Sequence, residues 1–238
     1  MVWVSKLVMG VALGASVLWA QPAAAQSTIF NIPSTDTVAP GKAYFEFDYV
    51  MQLPKPSSEQ FQVFTPRLVA GVTPQLEVGI NVGVTHYSDG GGNVTYFQPD
   101  AKYKFWADDD KGLAATAGVI FYMPTNSSYD KFGLVYGNVS KKIKQGSRFT
   151  FGGYGAPGLE ADTKGGVILG AEVPLNAKVS FVADWFSGKN FFGYFTPGIS
   201  VALPHSALFN LGYSIGNDSG PADYRNRALF AYYGITFP

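Results

Sequence analysis

The sequence has no cysteine, only two histidines and no excess of charge of either sign. The absence of cysteine excludes a disulfide scaffold and every site in which cysteine binds zinc or an iron–sulfur cluster. The 17 basic and 17 acidic side chains cancel, so the chain lacks the positive charge typical of nucleic-acid binding. We therefore predict no cofactor, no metal site and no nucleic-acid partner.

Glycine and aromatic residues, by contrast, are abundant, with 28 glycines and an aromatic fraction of 16% in 238 residues. This composition argues against a disordered chain, which is poor in aromatic residues. It also argues against a helical bundle, which is rich in Ala, Leu, Glu and Lys. The balance favours strands, and the length suits a single domain.

The N-terminus has the order of a secretory signal peptide. Lys6 supplies a positive charge, residues 7–19 form an apolar run, and residues 23–25 are three alanines. The apolar run is shorter than the roughly 20 residues that a membrane-spanning helix needs. We therefore predict export, with cleavage before Gln26.

From residue 42 onward, apolar residues alternate with polar residues or glycine. The segment LEVGINVGV at 76–84 places Leu, Val and Ile on one face, and Glu77, Asn81 and two glycines on the other. Such a strand fits a wall between lipid and a polar lumen. Twelve segments show the pattern, at 43–52, 61–72, 76–86, 94–106, 112–123, 131–141, 148–157, 165–174, 178–187, 191–202, 207–216 and 227–237.

The links between these segments alternate in length, except for the ninth, SGK, which is short where a long one is expected. Short turns at one end and long loops at the other are typical of an outer-membrane barrel with both termini in the periplasm. A soluble sandwich, which would bury the apolar faces, is the competing architecture. Segments of about ten residues, few charges on the apolar faces and aromatic residues near the strand ends favour the barrel.

Three prolines and one segment fit the strand pattern poorly. Pro66, Pro99 and Pro197 fall inside predicted strands, where each removes a hydrogen-bond donor from the ladder. We expect a bulge or a local loss of pairing at each. The sixth segment can be read with either face outward.

The polar face of the strands predicts the lining of the lumen. Folding the third and fourth strands back on each other brings Glu77 close to Lys102 or Lys104, and the first hairpin places Glu46 opposite Arg67. Such charges either satisfy one another or select a permeant, and their acidic excess predicts a weak cation preference. The predicted lumen-lining residues are Glu46, Asp48, Arg67, Glu77, Asn81, Tyr96, Gln98, Asp100, Lys102, Lys104, Glu172, Asp184, Tyr194, Asn210 and Tyr232.

The sequence leaves undecided whether the lumen is open or closed. Twelve strands lie between filled eight-stranded barrels and open sixteen-stranded porins, so a narrow channel is one alternative. The others are a lumen closed by tyrosines or by residues 26–41 (QSTIFNIPSTDTVAPG), which show no strand pattern and could enter as a plug. The tyrosines concerned are Tyr96, Tyr122, Tyr194 and Tyr232.

Three stretches resemble known outer-membrane barrels. Residues 228–237 (ALFAYYGITF) resemble the terminal strand of bacterial outer-membrane barrels, which closes with an aromatic residue, here Phe237. Residues 66–79 (PRLVAGVTPQLEVG) and 98–104 (QPDAKYK) resemble the transporter-like barrels grouped with the meta-pathway of phenol degradation. This resemblance implies the outer membrane of a Gram-negative bacterium. The partners implied are outer-membrane lipids, the barrel-assembly machinery acting on the C-terminal strand, and small-molecule solutes.

Two short motifs suggest chemistry. Residues 153–158 match G-x-G-x-x-G, but a proline and a polar loop follow where the dinucleotide fingerprint needs a helix, so we reject that interpretation. His86-Tyr87-Ser88 resembles the His-x-Ser motif of outer-membrane lipid A deacylases. A serine nucleophile also needs a carboxylate to orient its base, and Asp89 is the candidate that follows.

The sequence therefore predicts an all-β fold, a single antiparallel transmembrane β-barrel of about 12 strands behind a cleaved signal peptide. The predicted organisation is a signal peptide at 1–25, a periplasmic N-terminal segment or plug at 26–41 and the barrel at 42–238. We expect an outer-membrane channel or transporter for passive passage of small solutes, apolar or aromatic ones among them, and no enzyme. The alternatives are a lipid-modifying hydrolase using His86 and Ser88, and a non-conducting structural barrel.

Overall fold

The computed structural model describes residues 27–53, 60–88, 92–143, 146–218 and 227–238, which form an all-β fold. The signal peptide predicted at 1–25 and the cleavage site before Gln26 lie outside the described residues. No helix in the described ranges has the length and apolar character needed to cross a membrane. The strands are β1 Ala43–Gln52, β2 Phe61–Gly71, β3 Leu76–Tyr87, β4 Asn93–Asp108, β5 Leu113–Pro124, β6 Phe132–Lys142, β7 Arg148–Gly155, β8 Gly165–Pro174, β9 Val179–Phe186, β10 Tyr194–Leu203, β11 Ala207–Gly216 and β12 Arg227–Phe237.

The sheet closes into a barrel. Each strand pairs antiparallel with its neighbour in sequence, and β1 pairs with β12. Closure removes the unpaired edges that an open sheet would present. The predicted single antiparallel barrel of about 12 strands is confirmed, and no strand end differs from its predicted position by more than three residues.

The two ends of the barrel carry different links. Links at 72–75, 109–112, 175–178 and 204–206 lie at the end where β1 begins, which we call the turn end. The opposite end, the loop end, carries longer links such as 125–131 and 156–164. The prediction of a short ninth link was wrong, because β10 begins only at Tyr194 and the link spans 187–193. Its phenylalanines extend the apolar pattern of β10 in the sequence but pack against other aromatic rings of the loop end.

The alternation in β3 shows how the sequence builds the barrel wall. Glu77 and Asn81 are buried, whereas Val78 and Ile80 on the other face are 40% and 45% exposed. Apolar side chains thus cover the outside and polar ones the inside, the reverse of a soluble protein. Other exposed apolar side chains around the wall are Phe47, Leu68, Phe97, Phe121, Val135, Phe149, Phe151, Leu169, Phe181, Phe195, Ile199, Phe209 and Tyr233.

The ambiguous sixth segment obeys the same rule. In β6 Leu134 and Asn138 are buried, whereas Val135 and Val139 are about half exposed. The β-branched residues therefore face outward, and the asparagine faces the lumen.

Each proline inside a strand interrupts the ladder on one side only. Pro66 keeps its register with β1, while the pairing of β2 with β3 lapses beside it. Pro99 and Pro197 have the same effect toward β5 and β11. The register is unchanged across each gap, as expected when only a donor is missing. The predicted local loss of pairing is confirmed, whereas the register shift between Lys104 and Trp106 was not predicted.

Candidate functional site

A hairpin formed by residues 27–36 lies inside the barrel. Thr28 pairs with Pro33 across the hairpin, and the Ile29 N–H donates to the Ile32 carbonyl at 2.9 Å. Proline and the neighbouring asparagine favour turns over continued strand, which suits this short reversal of the chain. The tip of the hairpin is at residues 30 and 31.

Both arms of the hairpin reach the turn end. On one arm the Ser27 hydroxyl donates to Glu77 Oε1 at 2.7 Å, near the start of β3. On the other, the Thr37 hydroxyl donates to the Pro74 carbonyl at 3.0 Å, in the turn between β2 and β3. The tip therefore points toward the loop end. We call residues 27–38 the plug.

The tip of the plug is apolar and fits against glycines of the wall. Phe30 is 1% exposed, and a Cβ atom built on Gly198 or Gly212 would lie 2.6 or 2.7 Å from the end of its ring. A Cβ atom on Gly170 would likewise lie 2.6 Å from Ile32. Those distances are too short for any side chain, so glycine at these inward positions makes room for the plug. Burying each such apolar side chain contributes about 2 kcal/mol.

Asp184 on β9 holds the backbone of the tip. Its Oδ2 accepts hydrogen bonds from the backbone N–H groups of Phe30, Asn31 and Ile32, and its Oδ1 accepts one from the Asn31 side chain at 3.1 Å. The carboxylate is 2% exposed. Hydrogen bonds to a charged acceptor are stronger than neutral ones, so this is the most concentrated polar contact between plug and wall.

Two buried ion pairs of the wall also contact the plug. Lys102 Nζ lies 2.8 Å from Glu77 Oε1 and donates to the Ser27 carbonyl at 3.0 Å. Arg67 lies 2.6 Å from Glu46 and donates to the Thr28 hydroxyl at 3.1 Å. The predicted pair of Glu46 with Arg67 is confirmed, and of the two lysines predicted to lie near Glu77 it is Lys102 that pairs with it. The plug adds hydrogen bonds to both pairs.

Arg148 at the start of β7 holds the second arm. Its guanidinium forms ion pairs with Asp36 of the plug and with Glu172 of β8, both at 2.5 Å. Burial by itself would raise the pKa of Asp36, but the adjacent guanidinium outweighs that effect and holds the pKa below its usual range. Asp36 therefore stays charged when the plug is docked.

Smaller polar contacts fix the remaining backbone. Asn138 donates to the Pro33 carbonyl at 2.7 Å, Tyr232 donates to the Ile29 carbonyl at 2.7 Å, and Asn210 donates to the same carbonyl at 3.2 Å. Buried backbone carbonyls are costly when left without a donor, so these contacts let a non-strand segment lie inside the barrel.

The fifteen residues predicted to line the lumen all lie on the buried or half-buried face of their strands. The structure brings one group into contact with the plug, namely Glu46, Arg67, Glu77, Lys102, Asp184, Asn210 and Tyr232. A second group lines a cavity toward the loop end together with Arg67, namely Asp48, Asn81, Gln98 and Tyr194. The others stand apart from the plug: Glu172 pairs with Arg148, Tyr96 joins an aromatic cluster, and Asp100 and Lys104 are half-buried in β4.

Four residues whose side chains form hydrogen bonds or ion pairs with the plug were missed in the sequence. They lie on the inward faces of β6, β7 and β10 and are Arg148, Asn138, Ser140 and Thr196. A consistent reading of β6 with its valines outward would have placed Asn138 and Ser140 inside. Arg148 is the first residue of a predicted strand, where the alternation of apolar and polar residues does not show which way the side chain faces.

Between the tip of the plug and the loop end lies a cavity of about 380 Å³, which we call the vestibule. Phe30 and Asn31 of the plug form part of its floor, and Phe61 and Tyr87 stand at its rim. Its walls are largely apolar or aromatic, with Val50, Val63, Ile120, Tyr122, Leu134, Phe186, Phe192 and Phe230 among them. Apolar walls with a few polar groups are typical of small-molecule sites.

An aromatic cluster stands beside the vestibule at the loop end. Tyr122 and Phe132 stack with ring centroids 4.5 Å apart, and Phe191 and Phe192 of the ninth link meet both rings edge to face. Despite these ring contacts, the Phe191 side chain is 58% exposed. The cluster anchors the longer ninth link against β5 and β6.

His86 and Ser88 each have another partner. His86 Nδ1 lies 2.8 Å from Asn93 Oδ1, and Ser88 Oγ accepts a hydrogen bond from the Gln60 N–H at 3.0 Å. Asp89, the acid considered for a triad, lies outside the described residues. Within the described ranges, no three His, Asp or Glu side chains form a group able to hold a metal ion.

Comparison with known proteins does not assign the chain to a family. No family model matches the chain, and a search of curated proteins gives no match. The likeness to the barrels grouped with the meta-pathway of phenol degradation therefore rests on residues 66–79 and 98–104 alone. The closed barrel of twelve strands fits an outer-membrane barrel protein in general.

Proposed function

We propose that this chain is an outer-membrane barrel for passive passage of small solutes, apolar or aromatic ones among them, and that the plug gates it. The plug is the observation that carries the proposal. It occupies the lumen between the turn end and the vestibule, and polar contacts and an apolar tip hold it there without strand pairing between residues 27–38 and the described strands of the wall. Movement of such a segment opens a path without disturbing the barrel ladder.

The outer surface and the vestibule support the membrane location and the solute class. Exposed apolar side chains ring the wall, which in water would form a very large hydrophobic patch. The vestibule offers an apolar cavity on the side of the plug away from the turn end. In this proposal lipid surrounds the wall, the C-terminal strand β12 is what the assembly machinery binds, and solutes arrive at the loop end.

The contacts of His86 and Ser88 favour passage over lipid hydrolysis. In a hydrolase the serine hydroxyl would donate to the histidine nitrogen. Here the hydroxyl accepts from a backbone N–H, and the ring nitrogen faces an asparagine. The proposal therefore gives the chain no enzymatic role.

A disulfide lock tests the gate. The hydroxyls of Thr35 in the plug and Ser140 in β6 are in direct contact, which places the two Cβ atoms near disulfide distance. The chain has no cysteine of its own, so Thr35→Cys with Ser140→Cys introduces a single possible bridge. The parent and both single-cysteine variants are the controls.

Single-channel recording in planar bilayers gives the readout, with heat-modified gel migration checking that each barrel is folded. We expect openings in the parent, silence in the oxidised double variant and recovery with a reductant. Parent-like openings in the oxidised, bridged variant would exclude the plug as the gate. If the parent and all the cysteine variants are folded but silent under every condition, the result would instead favour a non-conducting structural barrel.

A further inference from the structure

The floor of the vestibule holds a carboxyl group, that of Asp48, with one buried oxygen that no donor of the described residues reaches. Asp48 on β1 lines the vestibule and is 8% exposed. In the part of the chain that the structure describes, its Oδ1 has no hydrogen-bond partner. Its Oδ2 lies 3.9 Å from Arg67, beyond hydrogen-bond distance. Burying a carboxylate without a donor is costly, so the group is suited to receive one from a ligand.

The charges around Asp48 indicate which kind of donor fits. Arg67 binds Glu46 at 2.6 Å and Asn81 at 3.2 Å, so its guanidinium is already engaged. Asp100 also interacts electrostatically with Arg67, and its buried Oδ2 lacks a partner in the described chain. Three carboxyl groups therefore interact with one guanidinium, and Asp48 also interacts directly with Glu46. A cationic ligand stabilises the charged forms of these carboxyl groups, whereas a neutral or anionic ligand does not.

Aromatic rings lie next to the carboxylate. Asp48 pairs with Tyr232 across the β1–β12 ladder, and the next inward pair toward the loop end is Val50 with Phe230. Phe230 in turn contacts Phe30 at the tip of the plug, with ring centroids 5.5 Å apart. Aromatic faces attract ammonium groups by cation–π interaction, and they also bury the apolar body of a ligand. A carboxylate beside aromatic rings is thus suited to an organic ammonium ion.

We propose that the vestibule binds small organic amines, with the ammonium group on Asp48 and the apolar body between Phe30, Phe230 and the rings above them. The ammonium supplies a donor to Asp48 Oδ1 and stabilises the charged form of the carboxyl group. The proposal names a ligand class for the vestibule and so rests on the proposed function, in that solutes must reach this cavity from the loop end. It does not require that the ligand then pass the plug.

Equilibrium binding to the refolded, processed barrel in lipid nanodiscs tests the assignment. The probes are phenethylamine, 2-phenylethanol and 3-phenylpropionate, which share an apolar body and differ in the head group. We expect saturable binding of the amine, at least tenfold weaker binding of the alcohol and no measurable binding of the carboxylate. Equal affinities for amine and alcohol would overturn the ammonium assignment, and absence of saturable binding by the amine would overturn the proposal.

Variants locate the site. Asp48→Asn is expected to weaken amine binding at least tenfold and to abolish the preference for amine over alcohol. Asp108→Asn is the matched control, because Asp108 lies at the turn end and pairs with an exposed lysine. Phe230→Leu keeps Asp48 and should weaken binding of both the amine and the alcohol severalfold. This variant tests the site if Asp48→Asn does not fold. Unchanged amine affinity in a folded Asp48→Asn barrel would exclude Asp48 as the receptor group.

Binding and passage are separable in these experiments. Amine binding in a barrel that never conducts would leave this inference standing and contradict the proposed passage. Conductance without amine binding would contradict this inference alone.

Discussion

Asp184→Asn is the change expected to release the plug with the least disturbance of the barrel. The carboxylate accepts four hydrogen bonds from the plug, three of them from backbone N–H groups. Asparagine has nearly the same shape, but the substitution removes the negative charge. It also replaces one accepting oxygen by an NH₂ group, which faces the N–H donors of the plug. A hydrogen bond to a charged group contributes about 1.5–3 kcal/mol, and a buried donor left without a partner costs about 1–3 kcal/mol. Because such effects are not additive, we expect the docked plug to lose roughly 3–4 kcal/mol in total.

That loss corresponds to a rise of several hundredfold in the ratio of undocked to docked plug, at about tenfold for each 1.4 kcal/mol. Single-channel recording should therefore show a large increase in open probability. Asp100→Asn is the matched control, because it removes the same charge from the lumen wall and the hydrogen bonds of the plug do not involve Asp100. An open probability for folded Asp184→Asn within about threefold of the control would refute the role of Asp184 in holding the plug.

Further predictions address the other polar contacts. Glu77→Gln leaves the Lys102 ammonium buried without its carboxylate, which typically costs about 3–5 kcal/mol, so the urea midpoint of unfolding in micelles should fall and partly recover when Lys102→Met is added; no change in the midpoint would contradict a structural role for the pair. The pKa of Asp36 is lowered in the docked state, so its contribution to docking is complete above about pH 4 and lost as the pH falls further. Acidification to about pH 3 should accordingly raise open probability more in the parent than in Asp36→Asn, and an equal rise in both would exclude this ion pair as the cause. Alanine at His86 and Ser88 should leave lipid A unchanged in cells, measured by mass spectrometry against the parent; an acyl chain retained only in the variant would revive the hydrolase.

The fold was predictable because a barrel wall imposes a simple rule on every residue. One face meets an apolar phase and the other a polar interior, so the period of 2 in LEVGINVGV already assigns Glu77 inward and Ile80 outward. Cross-strand partners then follow from the turn between two strands. This is why the sequence limited the partner of Glu77 to Lys102 or Lys104, and the register of β3 and β4 decides for Lys102.

The plug follows no such rule. Residues 26–41 read only as a segment without strand pattern, which fits a periplasmic extension as well as a hairpin inside the lumen. What decides its position is the fit of Phe30 to Gly198 and Gly212, and of three N–H groups to Asp184. In the sequence those glycines look like any other inward glycine, and the carboxylate is more than 150 residues away from its partners. The prediction for the ninth link was wrong for a related reason. Phe191 and Phe192 have side chains typical of strands, but they contact aromatic rings at the loop end.

The position of the plug changes what the lumen charges can do. Lys102, Glu77 and Asp184 were predicted to be candidates for selecting a permeant, yet each is bound to plug atoms while the plug is docked. Among the charged residues that the structure describes, Asp48 and Arg67 line the cavity that a solute from the loop end would enter. In the proposed gate, undocking of the plug separates Asp36 from Arg148 and exposes the charges of the wall that the plug now binds. Under that proposal, selection in the docked state depends on the vestibule, and the charges that the plug binds contribute only in the undocked state.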